Sequence, residues 1–232
     1  MRPPSDAARS IEFSLNEPRM IRQSIKDVCF FFSRYACLPA TWYASARYRL
    51  GGSKHPEGHY VHLGCGHKYL DGLINADGNV LRKIDLWIDL RNTLPFPDAS
   101  CTLVYSSHTI EHLFPYEAVA LLKEIRRILK DDGVARIAVP SFQHALAVAR
   151  GEVIEDWPRA FREPASQAVN YLFCEGQHKY AYTAEILEAF AREAGFTRVT
   201  DYSADHGVEP KTYGAVTVGD EPPGSLVVEL RR

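Results

Sequence analysis

The chain is predicted to fold as an α/β protein built on a doubly wound, mostly parallel sheet, and three observations carry that prediction. Short apolar runs of strand length alternate with amphipathic helical stretches from residue 59 onward, the order in which crossover helices join parallel strands. Three successive runs end in ligand-suited residues, Gly64-Cys65-Gly66, Asp77 and Asp89, and open α/β sheets bind at the carboxyl ends of their strands. With 46% hydrophobic and 24% charged residues over 232 positions, there is enough apolar side chain for one full core and an appendage.

Taken in order, residues 1–17 are polar and carry Pro3-Pro4, which predicts a frayed start. Between 18 and 50, Ile21, Ile25, Val28, Cys29 and Phe32 recur at helical spacing, Phe30 and Phe31 widen that face, and Arg22, Lys26 and Arg34 lie elsewhere. Trp42, Tyr43 and Tyr48 follow, interleaved with Arg47 and Arg49. Burying side chains of this size is worth ~1.5–3 kcal/mol each, so the stripe needs a surface: the rest of the chain, a second subunit in a homodimer, or a membrane face. Its weak basic charge makes a membrane the least favoured, and the expectation is packing on protein beside the cofactor cleft. Gly51-Gly52-Ser53 and Pro56-Glu57-Gly58 read as a linker, dividing an N-terminal helical extension at 1–52 from a domain at 53–232.

Within that domain Tyr60–Leu63, Leu73–Ala76, Leu86–Asp89 and Leu103–Ser106 have the length and flanking turn residues of buried strands. A brief helix is expected over Lys68–Gly72 and a turn over Leu94-Pro95-Phe96-Pro97-Asp98. Tyr116–Lys130 reads as a helix with Val119, Leu122, Ile125 and Leu129 on one face, stopped by Asp131-Asp132-Gly133. Val134–Val139 is the next strand. Thr183 caps a helix running to Ala194 with Gly195 past its end, and Thr197–Asp201 and Leu226–Leu230 are late strands.

Several function classes are disfavoured. A formal charge of −2 lacks the basic excess of a general nucleic-acid binder. Five scattered cysteines without a C-x-x-C pair suit reduced thiols in a cytoplasmic setting. Neither a signal peptide nor an apolar run near the ~20 residues of a bilayer span is evident.

The glycines of Gly64-Cys65-Gly66 let backbone approach a ligand without a Cβ, and Asp77 suits a ribose diol. Asp89, ending an apolar run, would offer an acceptor to an adenine amino group. The six-residue dinucleotide fingerprint is incomplete, because Tyr69 stands where its third glycine belongs; read blandly, the glycines are a tight turn and Asp77 a cap. His108-Thr109-Ile110-Glu111-His112 spells H-x-x-E-H, the inverted zinc-peptidase motif. That motif needs a long helix, whereas here it follows a strand and is cut short by Pro115, with no third ligand evident, so no metal is expected. His108 and Glu111 are instead expected to face cofactor or acceptor, and His112 to cap and pack. Glu175–Tyr180 holds His178, a second candidate base.

As an ordered set, Leu63–Gly66, Asn75-Ala76-Asp77, Ile88-Asp89-Leu90, Leu94–Asp98 before Leu103–His108, Leu129–Gly133 before Arg136–Pro140, and Glu193–Phe196 resemble the class I S-adenosylmethionine-dependent methyltransferases. The likeness covers roughly residues 59–230 and is nearest to the type 11 branch with a shortened first helix, often associated with glycan biosynthesis. It implies a seven-strand-type, Rossmann-like methyltransferase fold with S-adenosyl-L-methionine as cofactor. Leu63, Gly64, Cys65 and Gly66 would pass beneath the methionine moiety, Asp77 would hold the ribose, Asp89 and Leu90 the adenine, and Ser107 and His108 would border the sulfonium. Lys68 replaces the usual third glycine of this family. The activity implied is methyl transfer to a hydroxyl or amine of a small or glycan-type acceptor, with His108, Glu111 and His178 as catalytic candidates. The alternatives are a non-catalytic S-adenosylmethionine-binding scaffold and, more remotely, a zinc hydrolase.

Overall fold

The computed structural model of the chain describes residues 25, 28, 31–50, 58–153, 163–202 and 210–232. Its centre is a seven-stranded sheet of β1 (His59–Leu63), β2 (Ile74–Asp77), β3 (Leu86–Trp87), β4 (Cys101–Ser107), β5 (Leu129–Pro140), β6 (Arg198–Asp201) and β9 (Ser225–Arg231), in the order β3-β2-β1-β4-β5-β9-β6. β9 lies antiparallel between β5 and β6, and the other pairings are parallel. The mostly parallel α/β sheet is therefore as expected. Its register is what builds the site. Leu63 pairs with Ala76 on one side and Ser106 on the other, so Gly64, Asp77 and Ser107 emerge in a row along one edge.

Alternate residues face opposite ways. One face sends Val61, Leu63, Ala76, Val104, Ile137 and Val228 into a core with α2 (Pro115–Ile128) and α5 (Ala184–Glu193). Glu117 accepts the Phe114 N–H at 3.0 Å to start α2, and Thr183 caps α5 by accepting the Ile186 N–H at 3.3 Å. The second face carries Tyr60, Leu103, Tyr105 and Val134 and is covered by a hairpin, β7 (Lys211–Tyr213) and β8 (Val216–Val218), through Tyr213, Val216 and Val218. Beneath the hairpin Arg136 is buried against Glu221 at 3.0 Å and Glu229 at 3.7 Å, and Lys211 meets Glu229 at 2.6 Å. A smaller cluster of Ala145, Val148 and Ala168 joins α3 (Phe142–Ala149) to α4 (Pro164–Phe173).

Several local expectations need correction. Residues 64–73 run as turns rather than a helix, closed by the Lys68 N–H on Cys65 O at 2.9 Å; five residues cannot recover the cost of nucleating a helix. β3 stops at Trp87, two residues short of Asp89. α2 ends at Ile128, and Leu129 is already extended and paired with Cys101, so Asp131-Asp132-Gly133 lies inside β5 and does not stop a helix. Burial of Leu129 against β4 outweighs one more helical turn.

The N-terminal stripe also departs from expectation. α1 (Leu38–Arg49) packs through Thr41, Ala44 and Tyr48, with the Tyr48 ring stacked on Phe96 at 4.8 Å. Ile25, Val28 and Phe32 of the expected stripe are instead exposed, together with Phe31 and Tyr35. The segment is anchored by Cys37, Ala44 and Tyr48 because these face the sheet edge. Ile21, Cys29, Phe30 and the linker at 51–57 lie outside the described residues.

Candidate active site

The glycine turn leaving β1 is left-handed at both glycines, with φ +67° at Gly64 and +53° at Gly66, a conformation glycine adopts without penalty. The two glycines have different neighbours. A Cβ on Gly64 would lie 2.3 Å from the Thr109 side chain, whereas one on Gly66 would meet nothing within 4 Å. Gly64 is thus required by close packing, and Gly66 leaves an open space where a ligand can pass. Between them Cys65 is buried, and burial followed by the nearby Asp77 charge pushes its thiol up to about 12, so it stays neutral.

Asp77 faces the turn. It accepts the Gly66 N–H at 2.8 Å and the Asn79 N–H at 2.7 Å, which holds its carboxylate at the mouth of the open space. Asp89 is more enclosed: its oxygens take bonds from the Arg91 N–H at 2.9 Å, Arg91 Nε at 2.8 Å and Arg91 Nη2 at 2.6 Å. Burial alone would raise the Asp89 carboxyl, but Arg91 outweighs it and holds the group below the ordinary carboxylate range. Ser33 reaches Asp89 at 3.5 Å and the Asn92 side chain donates to Arg34 O at 2.7 Å, so the N-terminal segment does close on the carboxylate expected at the adenine end. Lys68, in place of the third glycine, bonds Gly219 O at 3.2 Å and Asp220 O at 2.9 Å. It ties the loop before β9 to the glycine turn.

At the end of β4 the chain turns sharply, with His108 at φ +50°, an uncommon conformation for a residue with a side chain. Thr109 Oγ1 donates to Ser107 O at 3.1 Å and lies 3.3 Å from Gly64 O, so the two strand ends are bound together. The H-x-x-E-H residues then occupy this turn and a short 3₁₀ segment, Ile110–His112, not a long helix. His108 Nδ1 lies 3.6 Å from Glu111 Oε1, and His178 Nε2, from the loop after α4, lies 3.9 Å from the same oxygen. The His112 and His178 rings meet edge to face at 4.9 Å.

Glu111 is only 1% exposed and neither of its oxygens has a hydrogen-bond partner. Burial drives its carboxyl up to about 8, and the nearby backbone amides of Glu111 and Thr109, too poorly placed to complete hydrogen bonds, offset only part of that rise. Burial also lowers His108 to about 4, with His112 and Lys68 adding to it, and lowers His178 to about 4, with His112 adding. All three catalytic candidates therefore gather in one place, with Glu111 lying behind the histidines. Sequence reasoning missed Ser225, whose hydroxyl lies 2.8 Å from His108 Nε2; at 117 residues' separation, no spacing rule could have joined them.

Residues 62–137 match the model of a methyltransferase domain. Among curated proteins none matches the chain. Of the solved structures, an S-adenosylmethionine-dependent methyltransferase from Archaeoglobus fulgidus is 14% identical, covering 82% of this chain and 93% of its own, with a TM-score of 0.49. One from Thermotoga maritima is 18% identical over 92% and 96%, TM-score 0.45. One from Mesorhizobium loti is 17% identical over 81% and 98%, TM-score 0.46. Likeness at that level is similarity of general shape and says nothing of substrate. The domain match is different, because it falls on the segment that runs from β1 through the glycine turn, Asp77, Asp89 and His108 into β5. The match therefore places a methyltransferase domain on the segment that builds the glycine turn and the ends of the central strands.

Proposed function

We propose that the chain methylates a hydroxyl or amine of a small acceptor, with a glycan-type hydroxyl as the favoured substrate class. The observation that carries this reading is the meeting of Gly64, Asp77 and His108 at the carboxyl ends of adjacent strands, tied by the contact between Thr109 and Gly64 O at 3.3 Å. The open space over Gly66 suits a ligand that must lie against backbone, which fits S-adenosylmethionine. When bound, that cofactor supplies an electrophilic methyl group on a sulfonium. Leu63, Gly64, Cys65 and Gly66 would hold its methionine end, Asp77 its ribose hydroxyls, Asp89 and Leu90 its adenine, and Ser107 and His108 the neighbourhood of the methyl.

His108 is the candidate to take the acceptor proton. Its Nε2–H is held by Ser225 Oγ, which leaves the basic lone pair on Nδ1, and at neutral pH the imidazole is uncharged because burial lowers its pKa to about 4. A base that weak contributes toward the lower end of the ~10²–10⁴-fold expected of acid–base catalysis, so alignment of acceptor and methyl supplies the larger share. His178 is the second candidate, and Glu111 acts behind both. The glycan class rests on the family resemblance. No helix among the described residues is long and apolar enough to cross a membrane.

Calorimetric titration with S-adenosylmethionine and S-adenosylhomocysteine tests the cofactor assignment. Asp77→Ala should abolish or greatly weaken binding, and unchanged affinity in that variant overturns the assignment. A panel of saccharide, amine and phenol acceptors with His108→Ala and His178→Ala then tests the reaction. Full activity in both variants removes the acid–base role, and turnover absent from every acceptor favours a binding scaffold.

A further inference from the structure

The grouping of Glu111, His112 and His178 has a chemistry that methyl transfer does not explain. One donor atom of each lies within 4.8 Å of the others. The histidine tautomers follow from their partners. His178 Nδ1 faces Leu172 O at 2.8 Å and His112 Nδ1 faces Gln177 O at 3.2 Å. A carbonyl oxygen only accepts, so both rings carry their proton on Nδ1 and keep a lone pair on Nε2. Ser225 gives its hydroxyl proton to Pro222 O at 2.7 Å. Its oxygen therefore accepts from His108 Nε2 at 2.8 Å, which leaves the lone pair of His108 on Nδ1, 3.6 Å from Glu111 Oε1.

Lone pairs from His108 Nδ1 and His178 Nε2 thus converge on a carboxyl group that is buried to 1% exposure and whose two oxygens lack a hydrogen-bond donor. Acceptors gathered away from water without a donor are costly. Either a proton shared with Glu111 or a metal cation belongs among them. The rings are held as metal-binding histidines are held, each imidazole being oriented by a hydrogen bond from its other nitrogen.

We propose that Glu111, His112 and His178 bind one divalent first-row transition metal ion, with His108 beside it. Two imidazoles and a carboxylate suit Zn²⁺ and its neighbours better than Mg²⁺ or Ca²⁺, which prefer oxygen. Three protein ligands leave a coordination position for water or an acceptor atom, and exposed His112 gives the ion an entry from solvent. Tetrahedral bonds of ~2.0–2.1 Å place ligand atoms roughly 3.4 Å apart, so the 3.9 Å between His178 and Glu111 and the widest separation of 4.8 Å must close on binding. His178 sits in a loop between a 3₁₀ turn and α5, where such a movement displaces no strand. The arrangement differs from the inverted peptidase motif: Glu111 serves as ligand rather than base, and the third ligand comes from a loop far along the chain.

The full-length protein, stripped with chelator and dialysed, should be titrated with Zn²⁺ by calorimetry and with Co²⁺ by visible absorption. One ion per chain is expected, with ligand-field bands for Co²⁺. Glu111→Gln and His178→Ala should each weaken binding at least 10-fold, while S-adenosylhomocysteine titration of the same samples reports separately on the fold and the cofactor site. Retained cofactor binding without stoichiometric metal overturns the metal site and leaves the methyltransferase reading intact. Wild-type metal affinity in the variants also overturns it, since the ion would then sit on surface groups. If near-UV circular dichroism shows that the two buried variants are unfolded, His112→Gln on the exposed rim decides, and unchanged Zn²⁺ affinity in that variant overturns the site.

Discussion

Replacing either glycine of the β1 turn by alanine should have opposite consequences, and the contrast tests which glycine serves packing and which serves the ligand. In Gly64→Ala the new Cβ would lie 2.3 Å from both Thr109 Cγ2 and Oγ1 and 2.8 Å from its Cβ, at φ +67°. The left-handed backbone costs ~1–2 kcal/mol for a residue with a Cβ, and overpacking a close contact costs ~1–3 kcal/mol more. The sum is ~2–5 kcal/mol, a large part of the stability of an ordinary domain. In Gly66→Ala only the backbone term applies, because the space around its Cβ is open, so the cost is ~1–2 kcal/mol. Urea unfolding of both variants measures these losses, and cofactor titration measures affinity. Gly66→Ala should fold and yet lose cofactor affinity by at least tenfold. The double variant Gly64→Ala/Thr109→Gly should recover the overpacking part, a favourable coupling of ~1–3 kcal/mol in a double-mutant cycle. Equal destabilisation by the two alanines, or no coupling between residues 64 and 109, would refute the division of roles.

Three further outcomes follow from buried groups and the exposed N-terminal face. Arg136→Met leaves Glu221 buried without its cation, which should cost ~3–5 kcal/mol and lower Tm by on the order of 10 °C in thermal unfolding; the double variant Arg136→Met/Glu221→Met should regain part of it, and no recovery refutes the ion-pair account. Burial first, with Lys68 adding and Asn75 opposing, lowers His62 to about 4 from 6.5, so the unfolded chain binds the extra proton between those values. Its contribution is intact above pH 6.5 and lost as pH falls toward 4, by up to ~3 kcal/mol at ~1.36 kcal/mol per unit; His62→Gln should flatten the stability profile in that window, and an unaltered slope would show the imidazole titrates normally. Phe31→Ser and Phe32→Ser, at exposed positions, should change unfolding free energy by less than ~0.5 kcal/mol each, whereas a loss above ~2 kcal/mol would mean these rings are covered in solution.

What the sequence determined by itself was the sheet and its ligand edge. Strand-length apolar runs ending in Gly64–Gly66, Asp77 and Ser107 are local patterns, and local patterns survive without knowledge of contacts. β1, β2, β4 and the Thr183-capped helix accordingly lie within a residue or two of their expected bounds. What only tertiary structure decided were events whose energy comes from distant partners. Leu129 leaves its helix because pairing with Cys101 buries it. Asp89 is occupied by Arg91 rather than left open, a rotamer choice that spacing does not encode. The hairpin over the second sheet face was legible in principle, since Lys211–Tyr213 and Val216–Val218 alternate around Gly214, but nothing local says which face it would cover. The union of His108, Glu111, His112 and His178 was the least legible of all. His178 is brought to Glu111 by a chain segment whose Lys179 and Tyr180 N–H groups bond Glu111 O at 2.7 and 3.3 Å, closing a loop that no periodicity announces.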